Sequence, residues 1–124
     1  MRMTESKFID SSVWLAYFFD GEHKNIIENE EILLISIVSL FEIKRKLLVK
    51  NVPREIVKEK IDFIKKKSHL IDVDLNIAEK AVEISLKNKL AAIDSLIYAS
   101  SLFQGAILLT RDNDFRGLPE VQVF

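Results

Sequence analysis

The chain alternates short apolar runs with amphipathic segments, and this alternation restricts its fold more than any other feature. The runs at residues 7–10, 32–37, 69–74 and 106–110 have the length of buried strands, and residues 121–124 suit an edge strand. The segments between them carry apolar residues at helical spacing. Strands that alternate with helices form a mostly parallel sheet through right-handed crossovers. We therefore predict a three-layer α/β fold, with a central, mostly parallel sheet of four to five strands flanked by helices.

Capping residues, Pro and Gly predict where the helices begin and end. Ser11 or Ser12 is available as the N-cap of a first helix. Pro53 suits the first turn of a later helix, and a strongly apolar last helix is expected to end at Gly105. In the first helix and in the helix that begins near Pro53, the residues expected to face inward are Val13, Leu15, Ala16, Phe19, Ile56 and Ile64.

Composition limits the class of protein. A chain of 124 residues with 48% hydrophobic and 30% charged residues predicts one globular domain over residues 1–124. The absence of cysteine excludes disulfides and thiolate metal sites. The N-terminus lacks the apolar core of a signal peptide, and no run of about 18 apolar residues occurs, so we expect a cytoplasmic protein with no membrane partner.

Two aspartates directly follow apolar strands. Asp10 closes the first run, and Asp112 comes just after the run at 106–110. The carboxyl ends of parallel strands meet at one edge of a sheet, where ligand sites form, so both are predicted at the functional edge. Each also has a structural alternative, because Asp10 could cap the following helix and Asp112 with Asp114 could form an Asx-turn or cap the next segment.

Asp94 lies in a predicted helix among apolar residues. Its neighbours at i−4, i+3 and i+4 are Leu90, Ile97 and Tyr98. An unpaired carboxylate on such a face is costly, because it loses water without gaining a partner. The position therefore indicates that something other than solvent interacts with Asp94.

Glu42 lies near the start of the helix that follows the second buried strand. On a solvent face it could pair with Arg45 or Lys46 at i+3 and i+4. Considered with the aspartates, however, it indicates a common ligand. Carboxylate oxygens are the ligands of hard cations such as Mg²⁺ or Mn²⁺, and two such ions about 4 Å apart promote phosphodiester cleavage. This chemistry needs no histidine nucleophile, and His23 and His69 are expected at the surface.

The charge is unevenly distributed along the chain. Residues 42–67 contain ten basic and four acidic residues, a net charge of +6, whereas the rest of the chain sums to −7. A basic block of this kind is either the solvated face of surface helices or an electrostatic footprint for a polyanion.

Three stretches of the chain carry a family resemblance. FIDSS, SIVSLFEIKRKL and LAAIDSLIYASSLFQGAILLTRDNDF resemble the acidic motifs of PIN-domain ribonucleases, and the chain length resembles the toxin of a VapBC-type toxin–antitoxin pair. The resemblance places four catalytic and metal-binding acids at Asp10, Glu42, Asp94 and Asp112, with Asp114 as an assisting ligand.

The resemblance also implies an activity and partners. It implies a PIN-like sandwich with about five strands, a Mg²⁺- or Mn²⁺-dependent endoribonuclease activity, a homodimer, and inhibition by a small antitoxin protein. Ser11 and Thr110 become candidate hydroxyls near the metal or the substrate phosphate, although they could serve only as a cap and a turn residue. Arg111 could contact phosphate or neutralise the acids beside it.

The basic block gains a function if the substrate is RNA. Positive charge near the acids would offset their repulsion of the RNA backbone, and Lys44, Arg45, Lys46 and Lys50 lie on the helix that carries Glu42. Three aromatic residues after Asp10 are suited to base stacking or to an antitoxin helix, and equally to the core or a dimer interface. They are Trp14, Tyr17 and Phe18.

Other classes of protein share parts of this pattern. A phospho-accepting receiver domain has a similar length and an acidic Mg²⁺ site. It would have paired acids after the first strand, where this sequence has Asp10-Ser11-Ser12. It would also have a lysine just after the last buried strand, where the stretch TRDND has none. A PIN-fold RNA- or protein-binding module would keep the fold without catalysis, and the intact set of four acids argues against it. A nuclease for duplex or flap DNA uses similar acids but needs a larger chain to clamp its substrate.

Overall fold

Five parallel strands form the central sheet. The computed structural model describes residues 5–124. The strands are β1 (Lys7–Ile9), β2 (Leu33–Ser36), β3 (Ser68–Ile71), β4 (Ile107–Thr110) and β5 (Val121–Val123). They lie in the order β3-β2-β1-β4-β5, and every neighbouring pair is parallel. The predicted α/β fold is confirmed, including the edge strand near the C-terminus. The single domain predicted over residues 1–124 includes residues 1–4, which lie outside the described residues.

Helices connect the strands and cover both faces of the sheet. They are α1 (Ser11–Asp20), α2 (Lys24–Ile27), α3 (Ile37–Val49), α4 (Arg54–Lys67), α5 (Leu75–Asn88) and α6 (Ala92–Phe103), followed by the 3₁₀ helix η1 (Asn113–Phe115). The short α2 was not predicted, since its four residues are too few to show a helical period. None of the helices in the described part of the chain is long and apolar enough to cross a membrane.

Two hydrophobic cores explain why the strand sequences are continuously apolar. Ile9 and Leu109 belong to the core under α1, α3 and α4, whereas Phe8 and Leu108 belong to the core under α5 and α6. Neighbouring residues of a strand point to opposite faces of the sheet, so burial of both faces requires an apolar residue at every position. Full burial of each such side chain contributes about 1.5–3 kcal/mol.

Three details of the first helix differ from the prediction. Neither Ser11 nor Ser12 is the N-cap, because α1 begins at Ser11 and Asp10 occupies the cap position. Phe19 was expected inside but is 45% exposed. It lies about 120° around the helix from the buried Val13, outside the face that packs on the sheet.

The helix after Pro53 is rotated relative to the prediction. Pro53 takes the N-cap position instead of the first turn, and α4 begins one residue later. The buried side chains are Val57, Ile61 and Ile64, which recur at i, i+4 and i+7 on one face. Ile56 is 36% exposed, because it lies about 100° away from Val57.

The strand order fixes where a site can form. The chain builds the sheet outward from β1 through β2 to β3, then returns to the other side of β1 with β4 and β5. The carboxyl ends of β1 and β4 therefore flank the point where the topology switches, which is where open α/β sheets bind ligands. A receiver domain has β1 between β2 and β3, whereas here β1 lies between β2 and β4, so that alternative is excluded.

Candidate metal centre

Asp10 leaves β1 at the switch point and is held by two hydroxyl groups. Its backbone has the extended conformation of an N-cap residue, but its side chain makes no capping hydrogen bond to α1. The side chain is buried, with Asp10 only 5% exposed. Its Oδ2 accepts hydrogen bonds from Ser12 Oγ at 2.7 Å and from Thr110 Oγ1 at 2.8 Å. The carboxylate is therefore held by the two hydroxyls instead of a capping hydrogen bond, and the backbone N–H groups of Ser11 and Ser12 add only smaller contributions that lower its pKa.

Ser12 and Thr110 form a hydroxyl clamp that joins the ends of β1 and β4. Each hydroxyl has one proton, and both protons are donated to Asp10. Their oxygens in turn accept backbone N–H groups, Ser12 Oγ from Arg111 at 2.9 Å and Thr110 Oγ1 from Asp112 at 3.0 Å. The clamp thus fixes the Asp10 carboxylate relative to the loop that carries Asp112. Burial raises the pKa of Asp10, and the hydrogen bonds from the clamp offset part of that rise.

Glu42 reaches the same edge from α3. Its Oε1 accepts a hydrogen bond from Ser11 Oγ at 3.1 Å, and it pairs with neither Arg45 nor Lys46. Burial raises the pKa of Glu42, the hydrogen bond from Ser11 offsets part of that rise, and the charge of Asp10 adds a smaller increase. The surface ion pair considered for Glu42 is therefore wrong, and the residue belongs to the acidic edge.

Three aspartates form the closest group of carboxylates. Asp94 in the first turn of α6, Asp112 after β4 and Asp114 in η1 each have a carboxylate oxygen within 4.8 Å of the others. Asp112 also caps η1, since its Oδ1 accepts the backbone N–H of Asp114 at 2.9 Å. The predicted capping role is confirmed for Asp112. It does not exclude metal binding, because a carboxylate has a second oxygen and further lone pairs.

The charges of all five acids meet at Asp94. The pKa of Asp94 is raised to about 6, first by burial and then by the negative charges of Asp112, Asp10, Glu42 and Asp114. All four of these charges belong to acids. We call these five residues the acidic cluster. Such clustering opposes ionisation, so the ionised cluster needs a cation nearby.

The donor set of the acidic cluster fits a hard divalent cation. Asp94, Asp112 and Asp114 supply only oxygen donors, and their mutual distances allow one ion to contact all three. Asp10 and Glu42 lie outside this close group and act on Asp94 through their charge. The structure thus brings the predicted acids to one edge of the sheet and places Asp114 in the close group with Asp94 and Asp112.

The candidate substrate residues are distributed differently from the acids. Ser11 and Thr110 both use their hydroxyl protons on acids of the cluster. Arg111 does not neutralise the acids beside it, because its Nη1 pairs with Glu22 Oε2 at 2.5 Å and lies 3.3 Å from His23 Nε2.

The exposed cations of α3 lie on two sides of the helix. Arg45 and Lys46 are one turn beyond Glu42 and share its side. Lys44 is about 200° around the helix from Glu42 and lines a groove toward α4. The sequence had treated the three residues as one group.

Burial separates the aromatic and histidine candidates. Trp14 is fully buried in the core, which was the alternative considered to base stacking. Tyr17 and Phe18 line a surface groove. His69 is exposed as predicted. His23 was expected at the surface but is partly buried, with its ring 4.8 Å from that of Phe124.

Sequence reasoning missed Ser12 as a site residue. It had been considered only as a possible cap, because nothing local to residues 10–12 shows that its oxygen meets Thr110 and Arg111. The position two residues after Asp10 is the only sequence signal. A serine or threonine there can reach back to the aspartate from the first turn of the helix.

Comparison with known proteins identifies one protein family whose sequence model matches most of the chain. The family model for the PIN domain matches residues 7–121, a range that includes the whole acidic cluster. No curated protein matches the chain.

Solved structures with the same fold include components of toxin–antitoxin systems. A chain of a toxin–antitoxin complex from Klebsiella pneumoniae is 22% identical, with a TM-score of 0.81, and the match covers 95% of this chain and 97% of that one. A chain of VapBC2 from Rickettsia felis, bound to a promoter DNA fragment, is 15% identical, with a TM-score of 0.75, and the match covers 95% of this chain and 96% of that one. VapC20 of Mycobacterium tuberculosis, a sarcin-ricin loop cleaving toxin, is 16% identical, with a TM-score of 0.65, and the match covers 82% of this chain and 85% of that one. At these identities the likeness shows a shared fold.

Proposed function

Since the chain belongs to the PIN domain family, we propose that it is a metal-dependent endoribonuclease and the toxin of a toxin–antitoxin pair. The observation that carries the proposal is the acidic cluster at the topological switch point. Three of its carboxylates lie within 4.8 Å of one another, and four acids raise the pKa of the fifth. A structural role would not require so much uncompensated negative charge in one place.

The acids have distinct roles in this proposal. Asp94, Asp112 and Asp114 hold the cation, Mg²⁺ or Mn²⁺, and Asp10 and Glu42 complete its negative environment and belong with Asp94 and Asp112 to the catalytic set. When bound, the cation supplies Lewis-acid chemistry to a phosphodiester and to an attacking water. The hydroxyl clamp keeps the Asp10 carboxylate in one orientation, and Ser11 does the same for Glu42.

RNA is the proposed substrate. VapC20, which shares the fold, is a toxin that cleaves the sarcin-ricin loop, and the Klebsiella pneumoniae protein belongs to a toxin–antitoxin complex. Arg45 and Lys46 are exposed beside Glu42, so they are suited to contact backbone phosphates near the scissile bond. Ser11, Thr110, Lys44 and Arg111 remain further candidates, with the hydroxyls acting through the acids that they orient.

The proposal includes two protein partners. The related complexes support a cognate antitoxin, and an exposed apolar stripe on α5 supports a homodimer. That stripe consists of Leu75, Val82 and Leu86, which are 73%, 59% and 78% exposed and recur at i, i+7 and i+11 on one side of the helix. We further propose a cytoplasmic protein whose 124 residues form one domain.

The test is cleavage of RNA under controlled metal conditions. Purified protein is incubated with structured RNAs and with DNAs of the same sequences, in Mg²⁺, in Mn²⁺ and in chelator. Asp94→Asn keeps the size of the side chain and removes its charge. Asp20→Asn makes the same change at an exposed aspartate at the far end of α1 and is the matched control. We expect metal-dependent cleavage of RNA by the wild type and by Asp20→Asn, and none by Asp94→Asn.

Other results would identify other functions. Tight RNA binding without cleavage in either metal would favour a PIN-fold binding module that lacks catalysis. Faster cleavage of the DNA strands would assign the site to a DNA nuclease. Equal activity of folded Asp94→Asn and wild type would remove the acidic cluster from the mechanism.

A further inference from the structure

A groove between α3 and α4 is lined by four cationic side chains, three apolar side chains and one acid. Its volume is about 380 Å³. Lys44 lines it from α3, and Arg54, Lys58 and Lys65 line it from α4, with Asp62 as the one acid. We call these five residues the basic groove. The chemistry proposed for the acidic cluster makes no use of it.

The cations on α4 form a regular row. Arg54, Lys58 and Lys65 are separated by four and seven residues, so they lie within about 40° of one another around the helix. At about 1.5 Å per residue, they span roughly 16 Å along its axis. Lys44 faces this row from the opposite wall. The arrangement is therefore a track of positive charge rather than a single point.

Most of this charge has no protein partner. Lys58 pairs with Asp62 at 2.9 Å, while Lys44, Arg54 and Lys65 form no ion pair with any described residue. The positive field is evident at Asp62, whose pKa is lowered by Lys58 and also by the charges of Lys65 and Lys66. Residues 42–67 are thus a positive region on a chain whose remaining residues sum to −7.

The charged side of α5, beside its apolar stripe, shows an ordinary solvated helix surface in this protein. Lys80 lies 3.7 Å from Glu83, and Lys87 shares the helix with two glutamates. Acids and bases balance there, as is common on surface helices. The row on α4 lacks this balance and lies in a concavity, which favours a ligand over simple solvation.

We propose that the basic groove binds the phosphodiester backbone of RNA at a distance from the cleaved bond. This inference rests on the proposed function, which brings a polyanion to the protein. Lys44 and Glu42 lie on opposite sides of α3, about 200° apart, so a strand that leaves the groove has to cross the width of α3, about 10 Å, to arrive at the acidic cluster. The residues that line the groove include no aromatic side chain on which a base could stack. The groove therefore contacts backbone phosphates and does not recognise bases.

The test separates long substrates from short ones. The variant Arg54→Gln/Lys58→Gln/Lys65→Gln removes three exposed charges. It is compared with a control that removes the same number, Lys80→Gln/Lys87→Gln on α5 together with Lys89→Gln at its C-cap. For an RNA of about 30 nucleotides, we expect the groove variant to raise KM by at least tenfold with kcat unchanged. The slope of log KM against log salt should fall by about 2, because each phosphate that is no longer neutralised lowers it by roughly 0.7. Cleavage of an RNA of about four nucleotides should not change.

Each outcome bears on a different proposal. If the wild type cleaves and the groove variant matches the α5 control on the long RNA, the groove proposal is wrong and the nuclease proposal stands. If the wild type cleaves nothing, binding of the long RNA in chelator still decides, because loss of affinity in the groove variant alone supports the groove. A variant that loses affinity for polyglutamate but keeps its affinity for RNA would show an acidic protein as the ligand and overturn the proposal.

Discussion

Two aspartates occupy the N-cap positions of α-helices, but only one of them caps its helix with its side chain. Asp74 precedes α5, is exposed, and accepts the backbone N–H of Ile77 at 2.9 Å. Asp10 precedes α1, is buried, and gives α1 no side-chain cap. Asp74 therefore follows the usual capping rule, whereas Asp10 departs from it.

The difference arises from what surrounds each carboxylate. The one side-chain hydrogen bond of Asp74 among the described residues comes from its own helix. Asp10 lies between β1 and β4, where the hydroxyl clamp supplies two donors that compete with the helix. The N-terminus of α1 still favours a negative charge through its dipole, without the capping bond. A departure from a local rule at a buried acid is the kind of inconsistency that marks a functional site.

Replacing both aspartates by asparagine should separate the two roles, with the largest effect at Asp10. Asp10→Asn removes the charge at the acidic cluster, and we expect metal-dependent RNA cleavage to fall by at least about 100-fold. Asp74→Asn should leave activity unchanged and stability nearly so, because asparagine caps a helix about as well as aspartate. Cleavage rates in Mg²⁺ measure the first effect, and urea unfolding measures the second.

The result depends on both variants being folded. Far-UV circular dichroism should show equal helix content for the two variants and the wild type. If Asp74→Asn lost activity as strongly as Asp10→Asn, the capping position itself would be the sensitive feature, and the contrast between the two aspartates would have no functional meaning.

The sequence was sufficient to predict the fold and the edge of the sheet at which the acids lie, because both depend on local patterns. Apolar runs predict strands buried on two faces, and Asp10 and Asp112 follow such runs directly. It could not choose between capping and a site at Asp10, since the deciding donor, Thr110, lies 100 residues away in the chain. The roles of Ser12 and of Arg111 depend on the same long-range contacts.

The errors in helix orientation have a related cause. A pattern of apolar residues predicts that a helix has an inward face, but the sheet decides which residues lie on it. Phe19 and Ile56 are apolar and exposed, because each sits outside the arc that the sheet covers. An exposed apolar residue is common in folded proteins, so the sequence gives little warning of such positions.

Removing one hydroxyl of the clamp should have an intermediate effect. Ser12→Ala keeps all five acids but deletes a donor to Asp10 Oδ2 and an acceptor for Arg111 N. We expect the affinity for Mn²⁺ to fall by about 10-fold, the lower end of the range for lost partners of metal-binding acids, because Asp10 acts on the cation through its charge and the loop that carries Asp112 loses one contact. Ser12→Thr should restore most of it, since threonine keeps the hydroxyl. Isothermal titration with Mn²⁺ measures both.

Ser101→Ala is the control for loss of a serine hydroxyl, because Ser101 Oγ donates to the backbone carbonyl of Ala106 at the end of α6 opposite to Asp94. It should lower stability without changing the affinity for Mn²⁺. Equal metal affinities for Ser12→Ala and wild type would mean that Thr110 alone orients Asp10, and the clamp would then be a structural link between β1 and β4.

The smallest expected effect concerns the cost of the acidic cluster to the fold. The pKa of Asp94 is about 6 in the folded protein and 3.8 for the ordinary group. Between these values the folded state binds more protons than the unfolded state, so the free energy of unfolding falls as pH rises through this window. The loss is complete above about pH 7 and absent below about pH 4. In chelator at pH 8, Asp94→Asn should therefore be more stable than the wild type.

We expect a gain of about 1 kcal/mol for Asp94→Asn, a value reduced because solvent screens this half-buried group. That corresponds to a Tm higher by roughly 3 °C, and the difference should vanish near pH 4. Saturating Mg²⁺ should reverse the order, since a cation that binds only the folded wild type stabilises it by mass action. Thermal unfolding of the wild type, Asp94→Asn and Asp20→Asn at both pH values provides the measurement. A variant that kept the pH slope of the wild type would show that the charges at Asp94 are relieved within the protein, and the cluster would then have no need of a cation.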